Sequence, residues 1–166
     1  MADDNDSIDL THFFALVVGL SDYSNMEEKG FASMPAAKTD VREFEKHLRN
    51  NTYFRTTIKT LLNFSRNAFD DAWEQIQEEI MEIRSEDKAA RICFKFYFSG
   101  HGCTFAGSNM LTHMVCINDG DGYIPIEEKL RKLSRKSNLS VSAILDCCRN
   151  EIEAKSRASK EKPDFG

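Results

Sequence analysis

The chain has 166 residues, 41% of them hydrophobic, and its 22 Lys and Arg stand against 27 Asp and Glu for a formal net charge of −5. That fits one domain able to bury roughly 70% of its extended-chain surface, and an acidic balance with no basic block interleaved with aromatics excludes nucleic acid as the expected partner. The N-terminus Met1-Ala2-Asp3-Asp4-Asn5-Asp6 is acidic where a secretory signal is basic and then apolar, and the longest apolar stretch, Phe13 to Leu20, is too short to cross a bilayer, so the expectation is a soluble cytoplasmic protein with no membrane segment and with its five cysteines as free thiols.

Residues 1–11 read as a disordered acidic lead-in, 12–152 as the folded domain and 153–166 as an exposed tail, the charged composition setting in at Asn150. Phe13 to Leu20 makes a first buried strand, closed by Gly19 and the turn Ser21-Asp22-Tyr23-Ser24-Asn25. From Pro35 to Asn50, Val41, Phe44 and Leu48 recur at helical spacing, with Asp40 and Glu43 early and Lys46 and Arg49 late, as a helix macrodipole prefers. Thr56 to Leu62 is a β-branched second strand. Ser65 then caps a second helix carrying Phe69, Ala72, Trp73, Ile76, Ile80 and Ile83.

Arg91 to Phe98 is the third strand, followed by a Gly-rich loop from Gly100 to Gly107. Leu111 to Ile117 and Tyr123 to Ile126 flank the turn signal Asn118-Asp119-Gly120-Asp121-Gly122 and predict a small hairpin. Glu127 to Lys136 reads as a short helix and Ser140 to Leu145 as the fourth strand. Strands alternating with helices predict a parallel α/β sheet, whose sites lie beyond the carboxyl ends of the strands.

Two of those strand ends carry chemistry. The aromatic third strand runs into Ser99-Gly100-His101-Gly102, and the fourth into Asp146-Cys147-Cys148-Arg149. A thiol of ordinary pKa near 8.5 is only a few per cent thiolate at neutral pH, so a nucleophilic cysteine needs a base beside it, and His101 is the candidate. Gly100 and Gly102 would allow close approach of a substrate backbone, and the amides of Gly102 and Cys148 form a candidate oxyanion site. Side chains alternate along a strand, so only one of Cys147 and Cys148 points at His101, and spacing alone leaves open which. The competing readings are a satisfied loop histidine at 101 and core cysteines at 147 and 93.

These motifs resemble, over about residues 13–152, the large catalytic (p20-type) subunit of the caspase-like cysteine peptidases: Ser99 to Gly102 stand at its histidine motif and Asp146 to Arg149 at its D-x-C or Q-A-C-R motif. His101 precedes Cys148 by 47 residues, against about 50 in that signature, so the resemblance assigns Cys148 as nucleophile and His101 as its base. It implies a three-layer α/β sandwich, a mostly parallel sheet in the order 2-1-3-4 with helices on both faces and a small hairpin after the histidine loop. The expected activity is a cysteine endopeptidase acting on peptide or protein substrates.

In motif style the chain is most similar to paracaspases and metacaspases. Asp146 stands where caspases carry Gln, and Asp40, in Lys38-Thr39-Asp40-Val41, stands where basic-specific relatives keep a second pocket carboxylate. The resemblance therefore implies cleavage after Arg or Lys, with Asp40 and Asp146 in the S1 pocket; a carboxylate pair attracts a guanidinium and repels an acidic side chain. By the same logic Lys155, Arg157, Lys160 and Lys162 are candidate self-cleavage sites. A role in apoptosis or immune signalling rests on family analogy. The competing readings are a helix-start charge at Asp40 and a strand-end hydrogen-bonding group at Asp146.

Arg149-Asn150-Glu151 depart from the His-Ser-Gly that usually follows a metacaspase nucleophile. No calcium site of that family can be matched, and residues 118–122 lack the spacing of an EF-hand, so no cofactor is expected and calcium dependence rests on analogy alone. Relatives continue into a small subunit, whereas this sequence ends at Gly166; the expectation is a processed, truncated or large-subunit-only form whose fourth-strand edge pairs with a small subunit or a homodimer partner. Two alternatives stand beside the peptidase: a catalytically silent module that regulates an active homologue by pairing, and a zinc site from His101, Cys103, His113 and Cys116, the expected metal content being none.

Overall fold

An unbroken apolar run lies at the centre of the fold. β1 (Leu10–Gly19) has parallel neighbours on both edges, β2 (Arg55–Leu62) and β3 (Arg91–Ser99), and every residue from Phe13 to Val18 is buried. A strand covered on both faces has no polar side to alternate with, so it reads as continuous hydrophobic sequence. The computed structural model describes residues 10–51, 55–107, 110–118, 122–136, 138–147 and 150–152.

α1 (Ala36–Asn51) connects β1 to β2, α2 (Arg66–Glu86) connects β2 to β3, and α3 (Ile126–Ser134) precedes β7 (Leu139–Asp146), which pairs in parallel with β3. The sheet order is β2-β1-β3-β7, the predicted 2-1-3-4 with β7 as the fourth strand. Phe13, Ala15 and Val17 turn to one face, where Val41 and Leu48 of α1 close on them beside Tyr97. Phe14, Leu16 and Val18 turn to the other, packing with Phe69, Trp73, Ile76 and Ile80 of α2 and with Ile126 and Leu133 of α3. The chain is a three-layer α/β sandwich with helices on both faces.

α2 begins as its sequence predicts, the Ser65 hydroxyl accepting the Ala68 N–H at 3.2 Å. Its attachment is dominated by burial: Phe69, Trp73, Ile76 and Ile80 each contribute about 1.5–3 kcal/mol, against about 1 kcal/mol for the cap. Trp73 sets its ring edge-on to Phe94 at 5.6 Å, and the Lys129 ammonium lies 5.7 Å from the Phe69 and Trp73 ring centroids while pairing with Asp70.

The chain after β3 corrects the expected Gly100–Gly107 loop. β4 (Gly102–Gly107) pairs antiparallel with β5 (Met110–Cys116), and β5 with β6 (Tyr123–Ile124), the predicted hairpin. β8 (Asn150–Ile152) adds in parallel to β4, so a second sheet of order β6-β5-β4-β8 stands where a loop and the start of a charged tail were expected. The glycines bound β4 rather than fill it, leaving Cys103-Thr104-Phe105-Ala106 to pair locally with β5 and at long range with β8, the second of which local composition does not report. The acidic lead-in expected over 1–11 is likewise shortened, because Leu10 and Thr11 belong to β1; residues 1–9, the turn centre at 119–121 and the tail 153–166 lie outside the described residues.

β7 is the outer strand of the main sheet, with no neighbour beyond it among the described strands. Val141 and Leu145 pack toward the α2–α3 core. On the opposite face Ser140 and Ser142 are exposed and Ile144 is 43% exposed.

Candidate active site

Four residues carry the chain from one sheet to the other. Ser99 ends β3, its carbonyl accepting the Leu20 N–H at 3.0 Å; Gly100 donates its N–H to the Asp146 carbonyl at 3.3 Å; Gly102 opens β4 opposite Val115. His101 falls between the two ladders, where a main-chain donor must find another partner. It finds Tyr23, whose hydroxyl oxygen accepts the His101 N–H at 2.7 Å.

The same hydroxyl explains Gly100. A Cβ there would lie 2.6 Å from the Tyr23 oxygen and 2.7 Å from the Phe98 ring, and φ is +156°. The glycine expected to admit substrate instead admits Tyr23, an internal contact.

The His101 imidazole stands between two rings, Tyr23 edge-on at 4.5 Å between centroids and Phe31 tilted at 5.2 Å. Phe31 is delivered by a short 3-10 turn over Ser24–Lys29, closed by Gly30 at φ +84°, a left-handed conformation that favours glycine. The next residue completes the clamp: His101 Nε2 lies 2.7 Å from the Ala32 carbonyl oxygen. A carbonyl only accepts, so Nε2 carries the proton and Nδ1 is left as the basic nitrogen.

Two residues before His101, Ser99 relates to both Asp40 and Asp146. The Ser99 hydroxyl donates to Asp40 Oδ2 at 2.9 Å, and Ser99 is the register partner of Asp146 across the β3–β7 pair. Both acids act on Tyr97: burial first, then the charges of Asp146 and Asp40, push its phenol above the ordinary tyrosine value, against an opposing hydrogen bond from Ser99. Phe44 of α1 stacks on the Tyr97 ring at 4.1 Å and holds the helix over this corner. Asp40 lies beyond the first turn of α1, which contains no acid, so the helix-start reading does not describe it. Asp146 is exposed at the strand end. The two acids come from different elements and meet through Ser99 and Tyr97.

Cys148 lies outside the described residues, and with it the second amide of the candidate oxyanion pair; Gly102 is buried at the start of β4. Cys147 is half-buried and packs against the principal core, which includes the buried Cys103. Cys93 is half-buried against the α1-side core, and burial raises its thiol pKa. All three are free thiols. Among the described residues no group of three or more His, Cys, Asp or Glu could hold a metal ion, and the His113 and Cys116 side chains of the zinc alternative lie outside those described. No helix among the described residues is long and apolar enough to cross a membrane.

Sequence reasoning had not singled out Tyr23, Phe31 or Ala32. Tyr23 and Phe31 left a faint signal, the two aromatic side chains of a largely polar connection. Ala32 left none, because it works through its carbonyl.

The caspase-domain family model, Peptidase_C14, matches residues 12–165. No curated protein matches the chain.

Proposed function

The chain belongs to the caspase-domain family of cysteine peptidases, and from that premise we propose that it is an endopeptidase acting through a Cys148–His101 dyad on protein substrates, cutting after Arg or Lys. The thiolate of Cys148 attacks the scissile carbonyl carbon. His101 takes the thiol proton at Nδ1 and returns it to the leaving amine, and water then hydrolyses the thioester. The amides of Gly102 and Cys148 hold the oxyanion, and Asp40 and Asp146 receive the basic side chain. The chemistry draws on side chains and backbone amides alone, and its thiols fit a reducing, cytoplasmic setting.

The observation that carries this reading is the His101 clamp. An imidazole with one nitrogen committed to the Ala32 carbonyl and the other left basic stands at the end of β3, beside the strand that ends at Asp146, two residues before Cys148 in the chain. The basic preference is supported by the convergence of Asp40 and Asp146 about Ser99 and Tyr97, which suits a guanidinium and disfavours an acid. The test is covalent labelling: a peptide-Arg-fluoromethylketone is expected to modify Cys148, located by mass spectrometry, and His101→Ala to abolish the reaction. Labelling by a peptide-Asp reagent in preference to the Arg reagent would refute the basic pocket.

β7 has no neighbour beyond it among the described strands, which favours a second reading, in which the domain acts by pairing with a small subunit, a homodimer partner or an active homologue. A groove of about 400 Å³ runs beside that strand, lined by Leu130, Val141, Ala143 and Leu145, and the exposed Ile144 lies on its other face. Labelling of Cys148 by the chain alone, compared with labelling after a full-length homologue is added, separates a self-sufficient enzyme from a silent partner.

A further inference from the structure

The geometry points to Tyr23 as a positioning residue for the reaction: its hydroxyl holds the His101 backbone and its ring sets the angle of the imidazole, so that Nδ1 is presented to the thiol. The inference rests on the reading of His101 as the base.

Tyr23 is fully buried although its turn is polar, and the turn is tied down from β2. Asn63, at φ +48°, accepts through one side-chain oxygen the N–H of Ser21 at 2.8 Å, the hydroxyl of Ser21 at 3.0 Å and the N–H of Asp22 at 3.1 Å. Asp22 in turn accepts the Ser24 N–H at 3.0 Å, and Asn118 accepts the Asn25 N–H at 2.8 Å. These bonds fix Tyr23 against the body of the protein before it meets His101.

What Tyr23 then fixes is the backbone of His101, whose N–H its hydroxyl takes at the crossing between the two sheets. Removing the hydroxyl would free the His101 backbone to rotate between Gly100 and Gly102, and the imidazole would turn with it, carrying Nδ1 away from the direction that the clamp sets. Proton transfer between side chains is steep in distance, and a misplacement of about 1 Å can cost on the order of a hundredfold in rate. The glycine at position 100 belongs to the same arrangement, since any side chain there would displace the hydroxyl.

The experiment uses the full chain and follows the rate at which iodoacetamide alkylates Cys148 at pH 7, located by tandem mass spectrometry, together with the rate of labelling by the peptide-Arg-fluoromethylketone. The variants are Tyr23→Phe, His101→Ala and the double variant, each checked for folding by circular dichroism. Tyr23→Phe is expected to slow both reactions about tenfold while His101 is present, to leave the reagent concentration for half-maximal labelling within about twofold, and to have no further effect in the His101→Ala background. Phe31→Leu, which opens the other side of the clamp with the hydroxyl in place, is expected to slow alkylation in the same His101-dependent way and carries the test if Tyr23→Phe fails to fold. Rates for both variants within twofold of the parent, or equal slowing with and without the imidazole, would overturn the inference. If His101→Ala itself leaves alkylation unchanged, the assignment of the base fails instead, a distinct result.

Discussion

Replacing Gly100 by alanine tests how tightly the crossing between the two sheets is built. The new Cβ would sit 2.6 Å from the Tyr23 hydroxyl, 2.7 Å from Phe98 Cζ and 3.3 Å from the Leu20 carbonyl oxygen, at φ +156°. Phe98 is fully buried and Leu20 is backbone, so neither yields cheaply. Backbone strain of about 1–3 kcal/mol and overpacking of about 1–3 kcal/mol together give a loss of about 4 kcal/mol. In a domain of this size each kcal/mol lowers Tm by about 2–4 °C, so the melting temperature should fall by about 8–16 °C. Urea denaturation should show the loss in the midpoint with an unchanged slope. Adding Tyr23→Phe removes one of the colliding atoms, so the double variant should lose about 1–2 kcal/mol less than the sum of the single losses. A Gly100→Ala protein within about 1 kcal/mol of the parent would refute the close packing of Tyr23, Gly100 and Phe98.

The remaining expectations concern charge and burial. Asp146→Asn should bring the Tyr97 phenol down toward its ordinary value, because the carboxylate is one of the charges that raises it; phenolate absorbance titration against a Tyr97→Phe control measures this, and an unmoved midpoint would separate the acid from the phenol. Tyr97 and Cys93 both hold their protons more tightly folded than unfolded, so the stability they contribute is present below their unfolded values, about 8.5 for the thiol and 10 for the phenol, and is lost as pH rises through the folded ones. Urea midpoints should therefore fall as pH rises above about 8.5, and the fall should be smaller in Tyr97→Phe. Ser65→Ala should cost about 1 kcal/mol through the lost cap of α2, and Trp73→Ala about 3–5 kcal/mol through the cavity it leaves; equal losses on denaturation would contradict the dominance of burial in holding this helix.

Much of the architecture was legible because it follows from local periodicity. The run from Phe13 to Val18 can be apolar at every position only if both faces are covered, which makes β1 central; Val41, Phe44 and Leu48 at helical spacing say which side of α1 turns inward; Ser65 ahead of Phe69, Trp73 and Ile76 marks where α2 starts and what it buries. His101 and Asp146 drew notice through residue type at a strand end, whereas Asp40 was reached only through the family resemblance. β4 escaped because its bounding glycines read as a loop, and β8 because its pairing with the distant β4 is written in no single window.

By itself, then, the sequence determined the alternation of strands and helices, the faces they bury and the ends that carry reactive side chains, since each depends on neighbours a few residues apart. Only the tertiary structure decided that Asp40 of α1 meets the Ser99 hydroxyl opposite Asp146, and that Tyr23, Phe31 and the Ala32 carbonyl enclose the imidazole and fix which nitrogen is basic. Those contacts join residues that lie 59 to 78 positions apart in the chain, and one of them is a main-chain oxygen that every residue possesses. A hydrogen bond of that kind depends on where the backbone passes, which the packing of the whole domain sets and no side-chain pattern announces.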